Sequence, residues 1–193
     1  MKTLCDYCYP PRATGRVVGR DLSLVFAGGV LVAVCAKIQI PAFPVPLTLQ
    51  TFAVLLAGAA LGARRGAAAM ATYLVAGAAG LPVFAGPVAG PAYLAGPTAG
   101  FLLAFPVAAF VVGGLTERGW DRRVLTAALA LTVGNGIILG VGFAWLAVQL
   151  GQTAAWASVF SKSLLLWDAM KIALAACALP AAWSVVRRLD GPR

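Results

Sequence analysis

Apolar residues fill six long stretches of the chain, and short segments rich in Pro, Gly or charged residues separate them. A helix that crosses the hydrocarbon core of a bilayer needs about 20 predominantly apolar residues. The second and third stretches are shorter than this, so we expect them to tilt or to be partly re-entrant. The pattern predicts six transmembrane helices, over Leu22–Ile38, Leu47–Ala63, Gly66–Ala79, Leu94–Thr116, Val124–Gln149 and Leu164–Val186.

The charges between the stretches predict an orientation. Lys and Arg cluster before the first stretch, in the second and fourth loops and after the last stretch, whereas the first and third loops carry no charge. Because basic residues collect in cytoplasmic loops, both termini are predicted to be cytoplasmic. The expected division is a cytoplasmic tail over 1–21, a transmembrane domain over 22–188 and a second tail over 189–193. The basic stretch and first apolar run resemble a signal peptide, but without a convincing cleavage site we interpret the run as a retained helix.

The composition excludes several classes of function. Of the 193 residues, 61% are hydrophobic and only 11% are charged, whereas about a quarter are charged in soluble domains, so a lipid bilayer is the expected surrounding. The net charge of +9 is spread over the loops, which argues against a nucleic-acid partner. The chain has no His and no GxxxxGK[ST] motif, so neither a common triad nor ATP hydrolysis by a P-loop is expected. Cys5 and Cys8 lack the further ligands of a zinc site, so no metal is predicted.

The two uncharged loops, Gln39–Pro46 and Gly80–Tyr93, are rich in Pro and Gly and largely apolar. We expect them to fold over the outer end of the bundle as the lid or wall of a pocket; the alternative is tight, rigid turns. Small residues also recur at four-residue spacing, as at Gly29 and Ala33, which lets helices approach closely. Such spacing is typical of internal packing, but the Gly29/Ala33 face is also a candidate for binding a partner membrane protein.

Two ionisable residues, Asp168 and Lys171, lie inside the last apolar stretch. Each costs roughly 2.5–3.5 kcal/mol near the centre of a spanning helix, so such residues indicate function by default. Three residues apart, they share one helix face about one and two turns below the outer end. The alternatives are a binding site for a solute with a polar head and an apolar body, or a structural salt bridge. Apolar walls are expected from aromatic residues near the same end: Phe43, Phe84, Tyr93 and Trp167.

Four segments of the sequence resemble the BioY family, the biotin-binding S components of energy-coupling factor (ECF) transporters. They are IPAFPVPLTLQTFAVLLAGAALGARRG (40–66), YLVAGAAGLPVFAG (73–86), LAGPTAGF (94–101) and WDAMK (167–171). The resemblance implies an all-α, six-helix S-component bundle in the bacterial cytoplasmic (inner) membrane. It also implies biotin as the transported ligand, no cofactor, and partners on separate chains, namely a transmembrane coupling protein and ABC-type ATPase subunits.

The resemblance also implies site residues. Asp168 and Lys171 become the polar ligands of biotin in the last helix, with Asp168 suited to the ureido N–H groups and Lys171 to the carboxylate or a carbonyl. The third loop, around Gly86 and Gly90, becomes a second contact. The alternatives are an S component for a different vitamin, a membrane assembly protein in which the charged pair is structural, and a membrane enzyme. The lack of His argues against the enzyme.

Overall fold

The structure, a computed structural model, describes residues 3–8, 14–40, 45–86 and 89–189. Eight α-helices make up most of this part of the chain. They are α1 (Leu4–Cys8), α2 (Thr14–Lys37), α3 (Gln50–Leu61), α4 (Ala63–Ala78), α5 (Ala99–Glu117), α6 (Val124–Leu150), α7 (Gln152–Val159) and α8 (Lys162–Leu189). Two-residue strands, β1 (Gln39–Ile40) and β2 (Leu47–Thr48), pair in an antiparallel hairpin.

Each of the six predicted stretches contains one helix, and the boundaries of the later ones agree closely. The largest difference is at α2, which begins at Thr14, eight residues before the predicted Leu22. The β-hairpin and the eight-residue α7 were not predicted, because segments this short leave no periodic pattern.

Four helices in the described residues are long and apolar enough to cross a membrane: Val17–Lys37, Ala99–Glu117, Val124–Leu150 and Lys162–Val186. The second and third predicted spans are the short helices α3, with 12 residues, and α4, with 16. A membrane protein is therefore supported, and the count of six spans stays a prediction.

Helices α3 and α4 form a tight antiparallel pair around Gly62, whose φ of 86° suits glycine. Close contact continues along the pair, since a Cβ added at Gly66 would lie 2.9 Å from the Cα of Gly58. A Cβ added at Gly58 would in turn lie 2.7 Å from the Ala109 carbonyl oxygen of α5. The predicted series of small residues at this spacing therefore serves internal packing of α3, α4 and α5.

One end of the bundle, which we call the charged end, carries most of the ion pairs. Asp6 of α1 accepts hydrogen bonds from Arg20 of α2, at 2.7 Å, and from Arg65 of α4, at 2.8 Å. Asp21 pairs with the same two arginines, each at 3.1 Å. At the same end, Glu117 Oε1 accepts the first backbone N–H of α4, from Ala63, at 2.9 Å. These bonds tie α1, α2, α4 and α5 together.

The opposite end, which we call the hairpin end, carries the β-hairpin and the third loop. Lys37, the last residue of α2, donates to the carbonyl oxygens of Phe84 and Gly86 at 2.8 and 3.3 Å, and so holds the third loop. Phe84 is fully buried, and a Cβ added at Gly77 would lie only 2.1 Å from its ring. The loop is therefore held both by its backbone and by one deeply inserted side chain.

Candidate functional site

A cavity opens at the hairpin end, between the hairpin and helices α3, α5, α6 and α8. Its volume is about 540 Å³, a figure that includes the mouth of the cavity where it opens to solvent. Most of its lining is apolar, with a small polar group on one side. The lining residues are Val45, Pro46, Leu47, Thr48, Gln50, Thr51, Tyr93, Thr98, Phe101, Leu102, Phe105, Leu139, Leu164, Trp167, Asp168 and Lys171.

Asp168 and Lys171 lie on the face of α8 that lines this cavity. Both are buried, with 5% and 7% of their surface exposed, and their Oδ1 and Nζ atoms are 2.6 Å apart. Asp168 and Lys171 lie six and nine positions after Lys162, the first residue of α8, which places them about 9 and 14 Å along the helix from its start. The pair therefore lies about two turns from the start of α8, beside open space rather than facing lipid.

Lys171 has all three of its N–H donors engaged. Besides Asp168, its Nζ donates to the Thr48 carbonyl oxygen at 3.2 Å and to the Thr51 hydroxyl oxygen. An ammonium group has no fourth donor. A ligand that bonds to Lys171 must therefore replace one of these three acceptors.

The Asp168 carboxylate is held at both oxygens. While Oδ1 faces Lys171, Oδ2 accepts a hydrogen bond from the side-chain amide of Asn135 on α6, at 3.0 Å. Each carboxylate oxygen can accept two hydrogen bonds. The carboxylate therefore keeps the capacity to accept N–H donors from a ligand.

Aromatic residues form the upper wall. Trp167 donates from Nε1 to the Thr48 carbonyl oxygen at 3.2 Å, which fixes the indole against the hairpin. The Tyr93 ring stacks on Phe84, with 4.8 Å between ring centroids, so Phe84 supports Tyr93 from behind. Burial raises the pKa of Tyr93, although a hydrogen bond with Thr98 acts in the opposite direction, so its hydroxyl stays neutral.

A buried polar chain connects the cavity to the third loop. Thr48 Oγ1 donates to Gln50 Oε1 at 3.1 Å, and Gln50 Nε2 donates to the Tyr73 hydroxyl at 2.7 Å. Tyr73 then donates to the Val83 carbonyl oxygen at 3.2 Å. Buried polar groups carry a large penalty when left unpaired, so this chain fixes the relative positions of hairpin, α3, α4 and loop.

The structure brings together four of the eight predicted ligand residues. Asp168, Lys171, Trp167 and Tyr93 all line the cavity. The other predicted residues do not line it in the described part, or lie outside that part. Phe84 is one layer behind Tyr93, Gly86 and Gly90 belong to the backbone of the third loop, and Phe43 lies outside the described residues. A ligand contact by these four stays a prediction.

The predicted partner-binding face lies elsewhere on the bundle. Gly29 is buried, and a Cβ added there would lie 3.4 Å from the Ala69 carbonyl oxygen of α4. Gly29 and Ala33 also line an apolar groove between α2 and α4, together with Phe26, Val30, Thr72, Tyr73, Ala76, Leu81 and Val83. The glycine thus serves packing inside the chain, and binding of a partner at this face stays a prediction.

Sequence analysis missed the polar residues that surround the charged pair. Thr48, Gln50 and Thr51 line the cavity, and Asn135 bonds to Asp168 from behind it. A signal was present, because each of these is a polar residue inside or beside an apolar stretch. Apart from aromatic residues and loop glycines, the prediction named only ionisable residues.

The arrangement is suited to binding a small solute. The described residues contain no group of three or more His, Cys, Asp or Glu side chains that could hold a metal ion. What the cavity offers is one acceptor and one donor, side by side, beneath apolar and aromatic walls. Such a site fits a small solute with an adjacent N–H and C=O and an apolar body.

A sequence model of the BioY family matches residues 11–188. The chain is 42% identical over 136 residues to a probable biotin transporter BioY from Pyrococcus horikoshii, covering 70% of this chain and 80% of that protein. It is 38% identical over 167 residues to the biotin transporter BioY of Rhizobium etli, covering 81% of this chain and 89% of that protein.

The fold is similar to that of a solved structure, the crystal structure at 2.1 Å of the S-component for biotin from an ECF-type ABC transporter. The TM-score is 0.76, and the match covers 94% of this chain and 96% of the other at 22% sequence identity. At this identity the likeness shows the fold, and it confirms the predicted S-component-like architecture.

Proposed function

The chain belongs to the BioY family, as its sequence motifs predicted. From this premise we propose that it binds biotin in the cavity at the hairpin end and carries it across a membrane. The relatives that match over most of their length are named as biotin transporters. The role is therefore transport and not catalysis.

The buried pair of Asp168 and Lys171 is the observation that carries the proposal. Their polar atoms are only 2.6 Å apart, so they bind one end of a ligand rather than its two ends. The ureido ring of biotin presents N–H groups next to a carbonyl oxygen. Asp168 accepts from the N–H, and Lys171 donates to the carbonyl in place of one of its present acceptors. The carboxylate tail then points towards the opening, past Tyr93 and Trp167.

Transport requires the bundle to span the bilayer, and we include α3 and α4 among six spans with both termini cytoplasmic. The charges support this orientation, since Arg20 and Arg65 lie at the charged end with the arginine-rich fourth loop, whereas the described part of the hairpin end carries no Arg and, besides the buried pair, two lysines, Lys37 and Lys162. The short α3 and α4 fit a locally thinned bilayer or a tilted pair. The hairpin end then faces outward, in a bacterial inner membrane.

This sequence contains no P-loop, so any ATP hydrolysis that drives release would take place on other chains. We propose a transmembrane coupling protein and ABC-type ATPase subunits as partners, in line with the ECF-type relative. The exposed side of the groove beside Gly29 and Ala33 is the proposed contact for the coupling protein. Its lining is almost entirely apolar, as a contact between membrane helices requires.

Binding of labelled biotin to the purified chain in lipid nanodiscs tests the proposal. Two analogues separate the ends of the ligand. Biotin methyl ester should compete nearly as well as biotin, since the pair binds the ureido end, whereas diaminobiotin, which lacks the ureido carbonyl, should compete poorly. Stronger binding of another vitamin would refute the substrate, and the reverse order of the two analogues would refute the assigned orientation.

Variants provide the second part of the test. Asp168→Asn and Lys171→Ala should each weaken biotin binding by at least about 10-fold, because each removes a charge-assisted bond. Lys162→Ala, an exposed lysine at the first turn of the same helix, is the matched control and should bind as the unmodified chain does. Unchanged affinity in the two site variants would refute the site assignment.

A further inference from the structure

Asn135 is a buried amide in the middle of α6, with 6% of its surface exposed. The flanking sequence LTVGNGIILG is almost entirely apolar, so the amide is a local exception. A polar group in such a position costs free energy unless it is hydrogen-bonded. Its described bond is the one that its Nδ2 donates to Asp168 Oδ2 at 3.0 Å.

With this bond, both oxygens of the Asp168 carboxylate have a donor from a neighbouring side chain. Lys171 meets Oδ1 along α8, while Asn135 meets Oδ2 from the neighbouring helix. A donor at one oxygen alone leaves the group free to rotate about its χ2 torsion, which is broad for Asp. Donors at both oxygens fix its plane and so direct the remaining lone pairs.

Asn135 does not line the cavity, so it does not itself meet a ligand there. We propose that Asn135 is a positioning residue, which orients the Asp168 carboxylate so that its free lone pairs face the N–H groups of the ligand. The inference rests on the proposed function and adds to it a residue on α6, one helix away from the charged pair. Binding affinity at Asp168 then depends on a side chain that the ligand never contacts.

Few charged groups face Asn135, which simplifies the interpretation of substitutions at this position. Among the helices packed on α6, α3 and α7 carry no charged residue. The acid of α5, Glu117, lies at the charged end, where it is bonded to Ala63, and Asp121 lies in the turn that precedes α6 at that same end. Asp168 and Lys171 of α8 are therefore the charged groups that face this position.

Two substitutions distinguish positioning from simple packing. Asn135→Leu keeps the branching and the number of side-chain heavy atoms but has no donor, and should weaken biotin binding by about 10- to 100-fold. Asn135→Gln keeps the amide donor at the end of a longer side chain, and should bind biotin more tightly than Asn135→Leu does.

The decisive measurement is the effect of Asn135→Leu on biotin affinity, made once in the unmodified chain and once in the Asp168→Asn variant. If Asn135 acts by orienting the Asp168 carboxylate, the substitution should add little to the loss that Asp168→Asn already causes, because no carboxylate is left to orient. A packing defect would lower the affinity by a similar factor in both backgrounds. Where Asn135→Leu fails to fold, the same comparison is made with Asn135→Ala, which adds no bulk.

Failure of the inference is distinct from failure of the proposed function. If the unmodified chain and Asn135→Leu bind biotin equally well, or if Asn135→Leu costs the same factor in affinity with and without Asp168→Asn, the positioning role is refuted while biotin binding stands. If the unmodified chain does not bind biotin at all, the proposed function is refuted and the role of Asn135 with it.

Discussion

The ammonium of Lys171 lies 2.6 Å from the carboxylate of Asp168, one turn along the same helix, and both groups are buried. Removing one member of a buried ion pair leaves an uncompensated charge and costs about 3–5 kcal/mol. Replacing both with neutral residues of similar size is often close to neutral. Single and double substitutions of the pair can therefore distinguish its contribution to stability from its contribution to biotin binding.

We expect Lys171→Met to lower the free energy of unfolding by about 3 kcal/mol and to abolish biotin binding. The double variant Asp168→Asn/Lys171→Met should regain most of that stability but none of the binding. Thermal unfolding in detergent and labelled-biotin binding measure the two quantities on one preparation. A double variant that binds biotin normally would mean that the pair is only a structural salt bridge.

Gly77→Ala should weaken biotin binding from a distance. The added methyl group would lie 2.1 Å from the Phe84 ring, which must then move, and Phe84 supports Tyr93 at the cavity wall. We expect a loss of stability of about 1–3 kcal/mol, as for other overpacked sites, together with a several-fold loss of affinity.

The matched control for this prediction is Gly140→Ala, a helical glycine with no atom within 4 Å of the added Cβ. It should leave biotin affinity unchanged and should not lower stability, because alanine favours a helix over glycine by up to about 1 kcal/mol. If Gly77→Ala binds biotin as well as the control does, Phe84 does not determine the position of Tyr93.

Lys37→Met should speed the release of biotin. The substitution keeps the length of the side chain but removes the donor to the carbonyl oxygens of Phe84 and Gly86, so the third loop opens more often. The expected result is a dissociation rate several-fold higher, measured by chasing bound labelled biotin with unlabelled biotin. Lys162→Met removes the same charge at the same end and should leave the rate as it was. Equal rates in the two variants would exclude the third loop as a barrier to release.

Asp6 should make stability depend on pH in the acidic range. Burial raises the pKa of this carboxyl, but hydrogen bonds from Arg65, Thr3 and Arg20 outweigh it and lower the pKa from 3.8 to about 2. Because the folded-state pKa is depressed, the stabilisation is complete above pH 3.8 and is lost as pH falls through about 2. Asp6 is partly exposed, so solvent screening reduces the contribution to about 1 kcal/mol.

Thermal unfolding at pH 5 and pH 2 measures this contribution. Asp6→Asn should be less stable than the unmodified chain at pH 5, and the difference should shrink at pH 2. Cys8→Ser, an exposed change in the same short helix, is the control and should follow the unmodified chain at both values. A difference that is constant with pH would mean that the Asp6 ion pairs add nothing to stability.

Hydropathy predicted the helices well because the bilayer selects for continuous apolar runs, as in α6, where Val124–Gln149 was expected and Val124–Leu150 is found. The same signal misplaced the start of α2, since Arg20 and Asp21 are polar yet helical, held by ion pairs that only the fold creates. Hydropathy reports where apolar side chains lie, and it contains no information about which polar groups will meet.

The same limit explains what was found and missed at the site. Asp168 and Lys171 stand out in the sequence because a charge in an apolar helix is costly wherever it lies. Asn135 and Thr51 stand out less, because a neutral polar residue is cheaper to bury than a charge, and their role comes from lying opposite α8, a register that depends on how three helices pack. Phe84 was expected at the wall but lies one layer deeper, because Gly77 leaves a space that accepts its ring.

The Thr48 carbonyl oxygen accepts from both Trp167 and Lys171, more than a hundred positions further along the chain. During synthesis, the Thr48 carbonyl oxygen can accept these two hydrogen bonds only after α8 has been made. A nascent chain arrested before α8 would carry most of the fold and none of the charged pair. The proposed biotin site is therefore complete only once α8 is in place, and we expect a nascent chain arrested before α8 to bind no biotin.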